Sequence, residues 1–234
     1  MFNVLHYDTI GSTNDEARRL AANGAPDRTV VHADRQTSGR GRLARPWFSP
    51  AGNLYMSMLL RLDVPVARLP ELSFLTAVAL AGTVDALLPR TVRATLKWPN
   101  DVLVQGSKIA GILLEQHDGA IIIGTGLNVL LAPATPDYKT TSLVAMGGMA
   151  SVDGARDILL QHMEHHLGVW NEQGFAPIRS AWLTQAHPPG SALRVTTGGQ
   201  AMEGRFVGLA DDGALLIETQ DGPRRVVAGD VAAV

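Results

Sequence analysis

The 234-residue sequence contains no cysteine. Disulfide bonds, thiolate metal sites and a cysteine nucleophile are therefore excluded. The net charge is only −2, so the chain lacks the basic excess of proteins whose main role is to hold a nucleic-acid backbone. It also lacks the basic start and apolar run of a secretion signal, and no uninterrupted apolar run approaches the roughly 20 residues of a membrane span. These absences favour a soluble, cytoplasmic protein.

Apolar periodicity and turn residues divide most of the chain into alternating strand-like and helix-like segments, which is typical of an α/β or α+β domain built on a mixed sheet. The predicted strands cover residues 4–7, 29–33, 53–61, 92–97, 102–104, 108–116 and 121–124. The predicted helices cover residues 13–23, 71–88, 153–172 and 177–186.

Two of these segments carry local detail. Thr13 and Glu16 have the spacing of a capping box, which predicts the start of the first helix. The segment 53–61 alternates between apolar side chains on one face and Tyr55, Ser57 and Arg61 on the other, so we expect a half-buried strand.

The pattern changes after residue 187. Four short β-like runs at 192–196, 201–207, 214–219 and 224–228 are separated by turns rich in glycine and aspartate. A segment of this length and rhythm is typical of a small barrel-like β domain. The sequence therefore predicts two domains, residues 1–186 and 188–234.

The run from residue 34 to residue 47 places Arg40, Arg42 and Arg45 beside Gly39 and Gly41. Glycines let such a loop turn its amide groups inward, and guanidinium groups match phosphate and carboxylate oxygens. A loose dinucleotide-binding fingerprint is also present, but no helix follows it, as that fold requires. A solvated surface turn held by salt bridges remains an alternative.

A second group of cations lies about sixty residues further on. Lys97 begins the run Lys-Trp-Pro-Asn-Asp, and Lys108 opens a strand that contains Gly111, where a ligand or another backbone can approach closely. The run 121–128 ends in a double-glycine turn followed by Asn128. Trp98 as a core residue and Asn100-Asp101 as turn formers would need no ligand, so that interpretation stays open for these residues.

Three histidines, His162, His165 and His166, have helical spacing that suits a metal site. Packing is favoured instead, because His162 and His166 share the stripe of Leu159 and Met163. No Gly-x-Ser-x-Gly elbow or Walker loop occurs in the sequence, which excludes those hydrolase and nucleotidase classes.

Taken in order, the motifs resemble those of bacterial biotin protein ligases, also called biotin–[acetyl-CoA-carboxylase] ligases. The motifs are Gly11-Ser12-Thr13-Asn14, Gln36-Thr37-x-Gly39-Arg40-Gly41-Arg42-x-x-Arg45-x-Trp47, Lys97-Trp98-Pro99-Asn100-Asp101, Lys108-x-x-Gly111-Ile112-Leu113 and Gly124-x-Gly126-x-Asn128. The resemblance covers the chain nearly end to end. It implies a mixed-sheet catalytic domain like that of class II aminoacyl-tRNA synthetases, followed by an SH3-like barrel. Because the sequence starts at the catalytic domain, we expect the monofunctional class, which has no N-terminal DNA-binding domain.

The resemblance also implies an activity. Members of this family join biotin to ATP, release pyrophosphate and form biotinyl-5'-AMP. They then transfer biotin to one lysine of a biotin carboxyl carrier protein. The expected partners are therefore biotin, ATP with Mg²⁺ and the carrier protein, with a homodimer as a further expectation and no DNA or membrane partner.

Roles for individual residues follow from the same resemblance. Lys108, Arg40 and Arg42 are implied as catalytic residues, with Lys108 holding the biotin carboxylate and stabilising charge at the α-phosphate. The residues implied for biotin are Ser12, Thr13, Asn14, Gln36, Gly39, Arg40, Gly41, Arg42, Lys108, Gly111, Leu113 and Gly124. The residues implied for ATP are Arg42, Arg45, Trp47, Lys97, Asn100, Lys108 and Asn128. No metal ligand is expected on the protein, and Arg224-Arg225 in the tail are left out of the site.

Further expectations concern the loop and the alternatives. The glycines should make residues 38–46 mobile until ligands close them and exclude water. A lipoate-protein ligase shares the implied fold and reaction logic. A nucleic-acid-binding regulator would instead use Arg40, Arg42, Arg45, Arg224 and Arg225, against which the near-neutral charge argues.

Overall fold

The computed structural model describes residues 1–134 and 138–233 and contains two β-sheets. The strands are β1 Asn3–Ile10, β2 Thr29–Gln36, β3 Leu54–Leu60, β4 Ala94–Lys97, β5 Asp101–Val104, β6 Ser107–His117, β7 Ala120–Leu127, β8 Ala192–Thr197, β9 Gln200–Leu209, β10 Leu215–Thr219, β11 Gly222–Val226 and β12 Asp230–Ala233. The α-helices are α1 Thr13–Ala22, α2 Leu69–Leu87, α3 Val152–Gln173 and α4 Phe175–Gln185.

The larger sheet has seven strands in the order β1-β2-β3-β7-β6-β5-β4. Strands β1 and β2 run parallel and every other neighbouring pair is antiparallel, so the predicted mixed sheet is confirmed. Helix α1 packs on β2, β3 and β7, while α2 packs on β4, β5 and β6 and against α3 and α4. The sheet is therefore covered by helices on both faces.

This two-sided cover corrects the interpretation of residues 53–61. All seven residues of β3 are buried, including Tyr55 and Ser57 on the face predicted to meet solvent. The alternation is real, but α1 covers the more polar face and α3 reaches the other. Arg61 follows the strand, and its guanidinium donates to the carbonyl oxygens of Ala21 and Ala25 near the end of α1.

The start of α1 also differs in detail from the predicted capping box. Ser12 is the N-cap residue and makes no side-chain capping hydrogen bond. The Thr13 hydroxyl contacts Gln36 instead, and the Glu16 carboxylate accepts from Tyr7 and Arg19. Tertiary partners have taken the groups that an isolated helix would use for its own cap.

The smaller sheet has five strands in the order β11-β10-β9-β8-β12, with every neighbouring pair antiparallel. The four strands predicted for the tail are present. Strand β12 was missed, because Asp230 and its small neighbours lack a strand pattern and form a strand only by pairing with β8.

Helix α2 is the central apolar helix of the protein. Together with the preceding 3-10 turn it spans Val66–Leu87, which is long and apolar enough by length and composition to cross a membrane. It is mostly buried inside the protein, where it shares one hydrophobic core with α3, α4 and residues of the smaller sheet such as Phe206 and Leu215.

Candidate active site

A cavity of about 280 Å³ opens where the arginine loop crosses β6, β7 and the start of α1. Most of the residues predicted for the site line this one cavity. They are Ser12, Thr13, Asn14, Gln36, Arg40, Gly41, Arg42, Arg45, Trp47, Lys97, Asn100, Lys108, Gly111, Leu113 and Gly124. Residues from five separated stretches of sequence thus meet at one place.

Gly39 and Asn128 lie outside this cavity and line a neighbouring hollow. Asn128 is buried, and its side-chain amide donates to the carbonyl oxygen of Thr141. A Cβ atom on Gly39 would lie 2.7 Å from the Trp47 carbonyl oxygen, so this glycine is needed for packing within the loop. Trp47 and Lys108 line both hollows and form the partition between them.

At one end of the cavity, polar side chains from α1, β2 and β3 form a buried hydrogen-bond network. The Thr13 amide donates to Gln36 Oε1 over 2.8 Å, and Gln36 Nε2 donates to Ser49. The Ser57 hydroxyl lies 2.6 Å from Asn14 Oδ1 and 2.8 Å from the Thr13 hydroxyl. These groups alternate between donors and acceptors, which suits a small neutral polar ligand group such as a urea.

Carboxylates fix Arg40 beside this network. Its guanidinium donates to Asp15 over 2.7 Å and to Glu115 over 3.2 Å. The hydrogen bond from Arg40 lowers the pKa of Asp15, so this carboxylate stays ionised at neutral pH. Glu115 also accepts from Asn14 Nδ2 over 2.8 Å, which links Arg40 to the polar end of the cavity.

On the opposite wall, Asp101 holds the two lysines. Its carboxylate lies 2.6 Å from Lys108 Nζ and 3.1 Å from Lys97 Nζ. The Lys108 ammonium also lies 5.3 Å from the centre of the Trp47 ring and 5.2 Å from that of Tyr138. A carboxylate and two aromatic faces therefore orient the Lys108 charge at the partition between the hollows.

A fourth carboxylate, Asp230, comes from the smaller sheet. Asp230 forms ion pairs with Arg45 and, over 3.5 Å, with Arg42. Arg42 also donates to the carbonyl oxygen of Gly229 and to Asn100 Oδ1, each over 3.1 Å. The arginine loop is thus attached to the tail of the chain.

Two glycines in β7 make space for side chains of the site. A Cβ atom on Gly124 would lie 2.1 Å from Asn14 Oδ1, and one on Gly126 would lie 2.6 Å from the Trp47 indole ring. Any side chain at these positions would displace Asn14 or Trp47. Trp98 is buried and donates to the carbonyl oxygen of Gly213, so for this residue the core interpretation is correct.

The electrostatics of the cavity favour anions. Five cationic side chains and two carboxylates line it, and Asp15 and Glu115 pair with Arg40 from beside it. The cations therefore exceed these carboxylates by one, although the whole chain carries a net charge of −2. Such an arrangement stabilises two negative groups that approach each other, as happens when a carboxylate attacks a phosphate.

The sequence matches two family models. Residues 8–129 match the biotin/lipoate A/B protein ligase family, and residues 190–233 match the biotin protein ligase C-terminal domain. The chain belongs to the biotin/lipoate A/B protein ligase family. The first match contains the arginine loop and strands β2 to β7, and the second contains Asp230, so both matched segments contribute to the cavity.

Individual proteins agree with this membership. The chain is 39% identical to the biotin–[acetyl-CoA-carboxylase] ligase of Mycobacterium tuberculosis, over 94% of this chain and 85% of that protein. It is 35% identical to the bifunctional ligase/repressor BirA of Bacillus spizizenii, over 97% of this chain and 73% of that protein. The fold matches the biotin protein ligase of Aquifex aeolicus in complex with biotin and ATP, with a TM-score of 0.87, 26% identity and 99% of each chain covered.

The sequence analysis did not identify the acidic partners of the arginines and lysines that line the cavity. Asp101 stands inside a recognised motif and Asp15 directly follows another, so the rule that a half-buried cation needs a counter-ion could have found them. Glu115 lies in β6, two residues beyond Leu113. Nothing in the sequence around Asp230 indicates its position, because the pairing of β12 with β8 brings it to the loop.

Proposed function

We propose that this chain is an ATP-dependent biotin protein ligase, which activates biotin to biotinyl-5'-AMP and transfers it to a lysine of the biotin carboxyl carrier protein of acetyl-CoA carboxylase. The observation that carries the proposal is the position of Lys108. Lys108 lines both the cavity with the buried polar end and the second hollow beside Trp47. Both substrates can therefore meet at one cation.

The first step joins two anions. A biotin carboxylate oxygen attacks the α-phosphorus of ATP, the bond from that phosphorus to the bridging oxygen of pyrophosphate breaks, and pyrophosphate leaves. At about 4 Å and an effective dielectric constant near 20, each pair of like unit charges costs about 4 kcal/mol. Lys108, Arg40, Arg42 and Arg45 offset this repulsion, and Mg²⁺ enters with the triphosphate as part of the substrate.

The second step uses the same acyl carbon. The neutral amine of the carrier lysine attacks the mixed anhydride, the bond from acyl carbon to phosphate oxygen breaks, and AMP leaves while the amine loses a proton. Cations around the cavity favour the neutral form of an incoming lysine amine, which is the nucleophilic form. The protein's contribution is positioning and electrostatic stabilisation.

We assign the two hollows to different parts of the intermediate. The ureido ring of biotin would bind at the network of Thr13, Asn14 and Gln36, and the base of the nucleotide would occupy the neighbouring hollow against Trp47. Asn128 lines that hollow, which supports its predicted place on the nucleotide side.

The direct test measures both half-reactions. The full chain is incubated with biotin, Mg-ATP and a carrier domain, and pyrophosphate release and the mass of the carrier are followed. We expect Lys108→Ala to slow adenylate formation at least a hundredfold, because charge stabilisation by one well-placed group is worth about 3 kcal/mol. Lys139→Ala is the matched control, since this lysine is exposed and its side chain lines neither hollow. Near-normal turnover of Lys108→Ala would refute the assigned role.

Lipoate is the competing substrate within the family. Thermal unfolding with biotin and with lipoate separates the two, and stabilisation by lipoate alone would reverse the choice. The polar groups of Asn14 and Gln36 support biotin, because they can exchange their mutual hydrogen bonds for bonds to a urea group, which the lipoate ring does not have.

The remaining expectations are part of the same proposal. The protein would act in the cytoplasm, form a homodimer and bind no DNA. The near-neutral net charge supports the last point. Light scattering measures the oligomeric state. Salt-dependent affinity for DNA in the absence of biotin would contradict the proposal that the protein binds no DNA.

A further inference from the structure

Three side chains that suit a divalent metal lie together at an edge of the large sheet and are not among the residues that line either hollow. They are His6 and Asp8 on β1 and Asp34 on β2. His6 Nε2 lies 2.8 Å from Asp34 Oδ1, and one ligand atom from each of the three residues lies within 4.8 Å of the others. We call these residues the β1–β2 cluster.

The strand register explains why the three meet. In the parallel pair β1–β2, His6 is opposite His32, and the same register puts Asp8 opposite Asp34 two residues further along. Residues two apart in a strand share a face, so His6, Asp8, His32 and Asp34 form a two-by-two array of ligand-type side chains. Two parallel strands hold this array without any loop.

A second observation concerns His32, which stands behind the cluster. His32 is 1% exposed, and its ring centre lies 5.1 Å from that of His6. Its Nδ1 atom is 3.3 Å from the Arg156 guanidinium, whereas Nε2 has no hydrogen-bond partner among the residues that the structure describes. Because a guanidinium can only donate, Nδ1 is the acceptor and the neutral ring carries its proton on Nε2. His32 therefore packs behind His6 as a support and is not itself a ligand.

The charges around the array favour a cation. Asp8 and Asp34 are the acidic groups of the cluster. Arg156 is the cation next to His32, and its guanidinium is paired with Asp153 and Asp157.

We propose that the β1–β2 cluster binds a divalent transition-metal ion, with His6, Asp8 and Asp34 as ligands and His32 as the support behind His6. Imidazole nitrogen with carboxylate oxygens is a ligand set for Zn²⁺, whose bonds to these atoms are about 2.0–2.2 Å long. Small side-chain rotations bring the three groups to this distance. The site is separate from the Mg²⁺ that accompanies ATP.

The position of the ion gives it a structural consequence. Strand β1 leads into Ser12 and Thr13, and β2 leads into Gln36 and the arginine loop. An ion across β1 and β2 would therefore tie together the two strands that deliver these parts of the active site. It would also protect β1, which is one of the two edge strands of the large sheet.

The test is calorimetric titration of the full chain with ZnCl2 in the absence of ATP. We expect one site, and we expect His6→Ala and Asp34→Asn each to weaken Zn²⁺ binding at least tenfold while circular dichroism shows an unchanged fold. His117→Ala is the matched control, because His117 is another partly exposed histidine beside an aspartate, Asp118, on the turn between β6 and β7.

Three results would overturn the proposal. The first is the absence of Zn²⁺ binding to the unmodified chain. The second is a Zn²⁺ affinity in His6→Ala and Asp34→Asn equal to that of the unmodified chain. The third is a loss of affinity in His117→Ala as large as that in His6→Ala. Pyrophosphate release by His6→Ala without Zn²⁺ should match that of the unmodified chain, because the cluster lines neither hollow. A loss of that activity would contradict the separation of the two sites.

Discussion

The carboxylates around the cavity set how its cations are presented. Arg40 is held by Asp15 and Glu115, and Lys108 is held by Asp101. Each of these ion pairs is at least half-buried. The pairing therefore holds in one position a long side chain that would otherwise move freely in solvent. The cations are therefore pre-positioned for anions, which is the condition for electrostatic catalysis.

Gly126 gives a prediction at the residue scale. Alanine at this position places a Cβ atom 2.6 Å from the Trp47 ring, so the ring must leave the partition between the hollows. We expect Gly126→Ala to lower kcat/KM for ATP at least tenfold, with a smaller effect on the KM for biotin, measured by pyrophosphate release.

A second glycine serves as the control for this variant. Gly168 lies in α3, and nothing lies within 4 Å of a Cβ atom built there. Gly168→Ala should leave activity unchanged and raise the free energy of unfolding by about 0.5–1 kcal/mol, because alanine is the better helix former. Normal ATP kinetics in Gly126→Ala would show that Trp47 does not need its present position.

Among the elements, the arginine loop is the one expected to change with ligand. Its glycines permit movement, and its three arginines are held by carboxylates from α1, β6 and the tail. Phosphate oxygens would compete for the same guanidinium groups. We expect the amide hydrogens of residues 38–46 to exchange at least tenfold more slowly with biotin and a non-hydrolysable ATP analogue than without them. Equal exchange in both states would contradict the closing loop.

Helix α3 carries a pH-dependent term in stability. Burial lowers the pKa of His166 to about 4, and the charges of His165 and His162 add to this effect. Below about pH 6.5 the unfolded chain binds a proton at His166 that the folded chain does not bind. The contribution of His166 to the free energy of unfolding is therefore fully present above that pH and is lost as the pH falls toward 4. One such proton changes stability by at most about 1.4 kcal/mol per pH unit.

Denaturant unfolding at several pH values tests this term. His166→Gln should flatten the decline between pH 6.5 and pH 4, whereas His117→Gln, at a partly exposed position, should leave it unchanged. A decline of the same slope in His166→Gln would show that other groups carry the acid sensitivity.

At the scale of the whole molecule, Asp230 connects the smaller sheet to the arginine loop at the cavity. It pairs with Arg42 and Arg45 across more than 180 positions of sequence. Partly exposed ion pairs are worth about 0.2–1 kcal/mol each. We therefore expect Asp230→Ala to lower kcat/KM for ATP by about threefold to tenfold with little change in the melting temperature.

Asp211→Ala provides the comparison for Asp230→Ala. The Asp211 side chain is fully exposed and contacts Arg179 only at 3.8 Å. Equal ATP kinetics in both variants and the unmodified chain would show that the tail does not position the loop.

Much of this organisation could be predicted from local sequence. The apolar period of α2, the β-branched run of β2 and the glycine-marked turns of the tail place these elements within a few residues. Fifteen of the seventeen predicted site residues line one cavity. The burial of β3 could not be predicted, because alternation shows that a strand has two faces but not what covers each of them.

The sequence by itself determined which chemical groups are available: three arginines on a glycine-rich loop, two lysines at strand positions and no thiol. The ordered motifs also determined the family. The tertiary structure alone decided which carboxylates hold those cations and that Asp230 reaches the loop, because these pairs form between residues far apart in sequence. Such distances are set by sheet order and strand register, which no local pattern encodes.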